Sequence, residues 1–233
     1  MADAIDPSRY DAVTFDCYGT LIDWERGLLA FLQPLLERKD VHTIDDWTLA
    51  FFGEAEARLE AGPYRPYRDV LGGVLDAFGA RLGFAPTDAE RRAFVDSVGD
   101  WPTFADTVEA LRSLSDRYRL AVVSNVDDAL FARTRTKLEV AFADVITAEQ
   151  VRAYKPDSKP FDEAERRLGV PRNRILHVAQ SRFHDVAPAR ARGLDSVWID
   201  RRGNRHGSGA TKGSDAEPTF RFDDLKSLAA ALR

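Results

Sequence analysis

Cysteine is almost absent: Cys17 is the single one in 233 residues, which excludes a disulfide framework within the chain. No run of about 18 apolar residues occurs, so no transmembrane helix is expected. The opening stretch MADAIDPSRYDAV lacks a basic start followed by an apolar segment, so no secretory signal is expected there. A basic excess is lacking too. The net charge is −5 with both signs interspersed, which gives no electrostatic footprint for nucleic acid. These absences predict a reducing, cytoplasmic setting with neither membrane nor nucleic acid as partner. What the chain does have is a 44% apolar content, enough for a sizeable core, and a length that suits one large domain or a core domain carrying an insertion.

Short β-branched and aromatic runs mark the strands. Ala12–Phe15 is the first and leads directly into Asp16-Cys17-Tyr18-Gly19-Thr20. Others are Leu120–Val123, ending at Ser124-Asn125; Arg174–Val178, ending at Ala179-Gln180-Ser181; and Ser196–Ile199, followed by Asp200. A weaker run is Asp144–Thr147. Helical spacing falls between them, over Thr107–Tyr118, Asp127–Leu138, Pro160–Leu168 and Asp185–Arg192, with a closing helix over Asp223–Arg233. Strands alternating with helices predict an α/β fold with a Rossmann-like parallel sheet covered on both faces. In such sheets ligands bind beyond the carboxyl ends of the strands. Each polar cluster named above sits at such an end.

Residues 23–98 break the alternation. Trp24–Leu36, Ile44–Glu60, Tyr67–Leu82 and Asp88–Val98 read as helices, with capping-box spacing at Thr87 and Glu90. The expected organisation is a core domain of residues 1–22 and 99–233, with a helical cap domain of residues 23–98 inserted after the first strand. Arg201–Pro218 is rich in Gly, Ser and Lys and reads as a mobile surface loop. Trp24, Trp47 and Trp101 read as core or hinge packing, with the cap interface as the alternative.

Asp16 follows a buried strand and precedes a glycine turn. A carboxylate fixed there can attack an electrophile and form an ester; the same position also suits an Asp that merely caps a turn. The wider string decides how it is read. Phe15-Asp16-Cys17-Tyr18-Gly19-Thr20-Leu21 resembles the first motif of the haloacid dehalogenase-like hydrolase superfamily. Ser124-Asn125 resembles the second, Lys155-Pro156 the third, and Ala179–Asp185 followed by Ala191-Arg192-Gly193 the fourth. The order is preserved and the resemblance spans the chain.

Phosphatases of that superfamily carry Asp two residues after the nucleophile, as general acid for the leaving alkoxide and with its backbone carbonyl on the magnesium, and another Asp in the fourth motif that helps bind magnesium. Here those places are Tyr18 and Gln180. Magnesium needs hard anionic oxygens to offset its dehydration, so no metal and no cofactor are expected. The Tyr version resembles the L-2-haloacid dehalogenases. That resemblance implies Asp16 as nucleophile on the carbon beside a substrate carboxylate, Lys155 as its charge partner, and Asp185 as the residue that positions or activates water. It also implies Thr20, Ser124 and Asn125 as contacts to nucleophile or substrate, and Cys17 and Tyr18 as the rest of a carboxylate cradle. The Cys17 thiol itself sits in no metal or redox pattern and reads as space-filling behind the loop. His184 reads as a packed or hydrogen-bonded histidine.

Departures from the family fall on the leaving-group side. The well-known L-2-haloacid dehalogenases carry a cap arginine that receives halide. Thr48 aligns near that place, leaving Arg58, Arg65, Arg68 and Arg182 as candidate substitutes, each also readable as a surface charge. Val126 follows Ser124-Asn125 where the family has Gly, Gln180-Ser181-Arg182 replaces its Ser-Ser-Asn, and Phe161 stands near the place of a tyrosine. The expected activity is metal-independent hydrolysis of a small 2-substituted carboxylic acid, most simply a 2-haloacid, through an aspartyl ester. The expected partner is that small-molecule carboxylate, with a homodimer as a candidate assembly. The rivals are a magnesium-dependent phosphatase of the same superfamily and a catalytically silent binding protein that keeps the fold.

Overall fold

A computed structural model describes residues 5–203, 205 and 207–233. From the N-terminus, β1 (Ala12–Phe15) is followed by four helices: α1 (Trp24–Arg38), α2 (Asp45–Glu60), α3 (Tyr67–Leu82) and α4 (Asp88–Ser97). The chain then alternates through α5 (Thr107–Ser115), β2 (Arg119–Ser124), α6 (Asp128–Arg135), β3 (Asp144–Thr147), α7 (Ala148–Val151), α8 (Lys159–Leu168) and β4 (Ile175–Ala179). A π-helical turn over Arg182–Val186 leads into α9 (Ala187–Arg192), and β5 (Asp195–Ile199), β6 (Phe220–Phe222) and α10 (Leu225–Ala231) complete the fold.

All six strands run parallel in the order β3-β2-β1-β4-β5-β6. This is a doubly wound α/β sheet, as the alternation predicts. Side chains alternate across it: Val13 and Phe15 join the large apolar cluster that contains Leu111 and Leu114 of α5 and Leu225 and Leu228 of α10, whereas Ala12 packs with Phe161, Leu168 and Ala189 on the opposite face. The large cluster continues without interruption into the four helices that follow β1, through Leu28, Phe52, Phe78 and Phe94. The capping box at Thr87 and Glu90 is formed at the start of α4.

Two expectations are corrected. The strand β6 was not anticipated: three half-exposed or exposed residues, Phe-Arg-Phe, pair only with β5 at the sheet edge and leave little pattern to read. The segment Arg201–Pro218 is irregular and largely at the surface where it is described, as expected, but it is anchored rather than loose at Ala210 and Thr211. Ala210 is fully buried, its backbone N–H donates to Glu25 Oε1 at 3.1 Å, and Thr211 Oγ1 lies 3.1 Å from Ser181 Oγ. At Gly53 of α2 a Cβ would lie 2.8 Å from the Ala210 carbonyl, so glycine lets this segment press onto the helix.

The register sets up the site. Phe15 is level with Val122 of β2 and Val178 of β4, so the chain leaves three neighbouring strands at nearly the same height. Asp16, Asn125 and Gln180 therefore emerge together at the carboxyl edge.

Candidate active site

Asp16 is buried just past the end of β1, where its backbone N–H donates to Val178 O. Lys155, in the turn between α7 and α8, reaches it: Nζ lies 2.8 Å from Asp16 Oδ1, 2.6 Å from Asp185 Oδ1 and 2.9 Å from Val123 O. The ammonium thus spends its three donors on two carboxylates and a carbonyl. Thr20 Oγ1 donates to the other oxygen, Asp16 Oδ2, at 2.7 Å, and accepts from Gln180 N at 2.9 Å, so its hydroxyl is oriented by both contacts. The turn needs Gly19, whose φ of +94° and whose approach to Trp24 Nε1 leave no room for a side chain.

Burial pushes the Asp16 carboxyl up from its ordinary range, while Lys155 and Thr20 favour the ionised form. Burial likewise disfavours charge on Lys155, but Asp16 and Asp185 together hold its pKa above the ordinary value. Burial opposes ionisation of Asp185 as well; there Lys155 and His177 prevail and hold it below the carboxylate range. The three groups form one buried unit in which a single cation serves two carboxylates.

Asp185 belongs to the π-helical turn, and its Oδ1 also contacts His177 Nε2 at 2.9 Å. An ionised carboxylate only accepts, so Nε2 donates, and Nδ1 lies 2.8 Å from Thr14 Oγ1. Sequence reasoning missed His177. The signal was a histidine in the middle of an otherwise apolar strand, two residues ahead of the polar cluster. Asp185 Oδ2 and Ser124 Oγ are buried without a hydrogen-bond partner among the described residues, and both residues line the cavity beside Asp16. Asn125 turns partly away: Oδ1 accepts from Lys155 N at 2.7 Å and Nδ2 donates to Lys155 O at 3.1 Å, which fixes the backbone on which Lys155 is mounted.

The cavity, about 410 Å³ with its mouth, is lined by Asp16, Tyr18, Ser124, Asn125, Lys155 and Asp185 from the sheet side. Gln180, Ser181, His184 and Thr211 close one end, and Trp24, Glu56, Glu60 and Tyr67 close the side formed by the inserted helices. Of the residues singled out from sequence, Thr20 touches Asp16 directly. The Tyr18 hydroxyl lies 2.9 Å from Thr134 Oγ1 of α6, so only the rest of that residue borders the cavity. The Cys17 side chain is fully buried in the apolar cluster and does not line the cavity; burial pushes its thiol well up. Trp24 lines the cavity, Trp101 packs edge-on against Tyr18, and Trp47 stacks on Phe51.

None of the four candidate arginines borders the cavity. Arg58 and Arg65 are exposed. Arg68 bonds Asp127 Oδ2 at 3.0 Å, and Arg182 bonds Ala216 O and Glu217. Thr48 is buried among Thr43, Ile44 and Gln33. What sequence reasoning did not find instead are two carboxyls on α2, Glu56 and Glu60, both aimed at the same cavity as Asp16.

Residues 10–192 match the family of haloacid dehalogenase-like hydrolases. The chain belongs to that family. It is 33% identical over 197 residues to an (S)-2-haloacid dehalogenase of Pseudomonas sp. (strain YL), covering 82% of this chain and 83% of the relative. It is 31% identical over 218 residues to an (S)-2-haloacid dehalogenase of Pseudomonas fluorescens, covering 92% and 93%. Among solved structures it resembles the L-2-haloacid dehalogenase of Xanthobacter autotrophicus with chloropropionic acid covalently bound, with a TM-score of 0.80 and 20% identity over 95% of this chain and 97% of that one. At that identity the likeness speaks for the fold. No helix among the described residues is long and apolar enough to cross a membrane.

Proposed function

We propose that this family member is a metal-independent hydrolase in which Asp16 is the nucleophile and the substrate is a small 2-substituted carboxylic acid, of which a 2-haloacid is the simplest case. The observation that carries this reading is the buried Asp16–Lys155–Asp185 unit at the carboxyl edge of the sheet. A carboxylate oxygen of Asp16 forms a bond to the carbon beside the substrate carboxylate, and the leaving group departs with its electron pair. Water held by Asp185, whose Oδ2 has no other partner among the described residues, then attacks the Asp16 carboxyl carbon and gives one proton to Asp185; the acyl C–O bond breaks, and the product leaves with an Asp16 oxygen as its hydroxyl, carrying the other proton. Negative charge developing on the Asp16 oxygens in that step falls on the donors already in place, Lys155 Nζ and Thr20 Oγ1. Ser124 and the backbone at Cys17 and Tyr18 contact the substrate carboxylate. His177 is a positioning residue for Asp185.

In this reading the helices of residues 23–98 are a cap over a core of residues 1–22 and 99–233. The magnesium-dependent alternative is disfavoured by Tyr18, which cannot serve as the carboxylic acid that protonates a leaving alkoxide, and by Gln180, an amide where the fourth motif would offer magnesium a carboxylate. A buried, protonated Cys17 thiol is compatible with a reducing cytoplasm.

The test is a screen of chloro-, bromo- and fluoro-acids beside phosphate esters, with and without a chelator. Turnover of a 2-substituted acid that is unchanged by chelation is the expected result. Phosphate ester hydrolysis lost in chelator and restored by magnesium would overturn the reading.

A further inference from the structure

Glu56 and Glu60 lie four residues apart on α2 and therefore on one face of the helix. Both are buried: Glu56 is 4% exposed and the Glu60 side chain 6%. Like charges at this spacing repel even on a solvated helix, and here water is largely excluded. Glu56 Oε1 accepts from Tyr67 OH at 2.6 Å, and Glu60 Oε2 accepts from Asn125 Nδ2 at 3.3 Å. Among the described residues no lysine or arginine bonds either carboxyl; the one that lines the cavity is Lys155, whose field favours ionised Glu60 but whose donors are taken by Asp16, Asp185 and Val123. His184 Nε2 is 3.9 Å from Glu60, but burial holds its pKa down at about 4, so it is neutral.

The pair is also unfinished. Glu60 Oε1 and Ser124 Oγ are both buried, both without a hydrogen-bond partner among the described residues, and both belong to residues that line this cavity. Ser124 is 2% exposed, so its hydroxyl is a buried polar group open to a water or a ligand in the cavity.

A departing halide needs donors or cations around it and takes up no proton. This wall presents carboxyls. A leaving oxygen or nitrogen, by contrast, is poor until it is protonated, and a carboxyl facing the nucleophile across the cavity supplies what it needs. We propose that Glu56 and Glu60 together are the leaving-group acid of this site, donating a proton to the ring oxygen or ring nitrogen of a small strained-ring carboxylic acid as Asp16 opens the ring.

The step balances. A lone pair of Asp16 forms a C–O bond to the ring carbon, the ring C–O or C–N bond breaks, and its electron pair takes the proton from the Glu56–Glu60 pair. Water then cleaves the aspartyl ester, giving a hydroxyl on the product and one proton, which returns to the pair. The substrate is hydrated overall, with no oxidant or reductant. Burial, with Asp16 nearby, pushes Glu56 up to about 8, and burial with Glu56 nearby pushes Glu60 well up, so the pair holds a proton at neutral pH.

This inference rests on Asp16 being the nucleophile, and the experiment separates the two claims. Oxirane-2-carboxylate, aziridine-2-carboxylate and 2-chloropropanoate are compared as substrates for wild type, Glu56→Gln and Glu60→Gln. The wild type is expected to open at least one ring faster than it displaces chloride. In each variant the ratio of kcat/KM for ring opening to that for chloride displacement should fall by about a hundredfold or more, the usual range for losing a positioned acid. Gln keeps the shape of Glu but can neither ionise nor give up a proton to the leaving atom. A second measurement needs no turnover: the infrared band of a protonated carboxyl should be present in the wild type at pH 7 and lost in the double variant. Failure of the wild type to open either ring, an unchanged ratio in both variants, or absence of that band would each overturn the proposal. Heavy oxygen from water entering Asp16 during chloride displacement would leave the nucleophile reading standing in that event; no entry with any turned-over substrate would sink the nucleophile reading itself.

Discussion

The two walls of the cavity are built on opposite principles. On the sheet side every charge has a fixed counterpart: Lys155 serves Asp16 and Asp185, Thr20 holds the second oxygen of Asp16, and His177 backs Asp185 from within β4. On the side of the inserted helices, among the described residues, Glu56 and Glu60 are carboxyls with no cation bonded to them, held by Tyr67 and Asn125. One wall sets a cation directly against its carboxylates and the other does not, while burial pushes Asp16, Glu56 and Glu60 up alike. In the proposed reaction those unlike surroundings part the nucleophile from the acid.

The difference can be broken most forcefully at Lys155. Lys155→Met leaves Asp16 and Asp185 buried without their cation, which is expected to cost about 3–5 kcal/mol of stability and at least a hundredfold in turnover. Denaturant titration and initial rates check both. A stable, active variant would show that the sheet wall does not depend on its ion pairs.

A smaller effect sharpens the comparison from the other side. Glutamate in an unfolded chain titrates near 4.5, whereas folded Glu56 is pushed up to about 8. Between those values the unfolded state has released a proton that the folded state keeps, so stability falls as pH rises through the window, by up to about 1.4 kcal/mol per pH unit for one such group. Glu56→Gln removes that contribution. Its denaturation midpoint should depend less on pH between 5 and 8 than that of the wild type, and at pH 8 it should be the more stable protein. Identical pH dependence in the two would show that Glu56 is already ionised in the folded state.

The same contrast explains how much was legible beforehand. The sheet wall is built from strand ends, where a buried apolar run stops and polar residues begin, so Asp16, Ser124, Asn125 and the loop before Asp185 announce themselves in order along the chain. Lys155 was readable only through its resemblance to the family motif, since nothing about a Lys-Pro pair states which cavity it enters. The helical wall has no such boundary. Glu56 and Glu60 sit in a charged stretch of α2 whose ordinary interpretation is a solvated face. The signal was there in the spacing: Leu49, Phe52, Gly53, Glu56 and Glu60 continue one stripe, and the first four of these are buried. The arginines were misleading for the same reason, because Arg58 falls between the two glutamates in sequence and on the opposite, exposed side of the helix. The role of Thr211 depended on the approach of a Gly- and Ser-rich segment to Gly53 and Ser181, a long-range contact that local composition does not encode.

Everything above depends on Asp16 attacking carbon itself, and one experiment reads that atom. Enzyme in excess over substrate completes a single turnover in heavy-oxygen water. The account predicts that the product hydroxyl is light, because its oxygen comes from Asp16, and that the heavy oxygen appears in the peptide containing Asp16. A product carrying heavy oxygen in the first turnover, with Asp16 unlabelled, would mean that water attacks the substrate directly and would contradict the account.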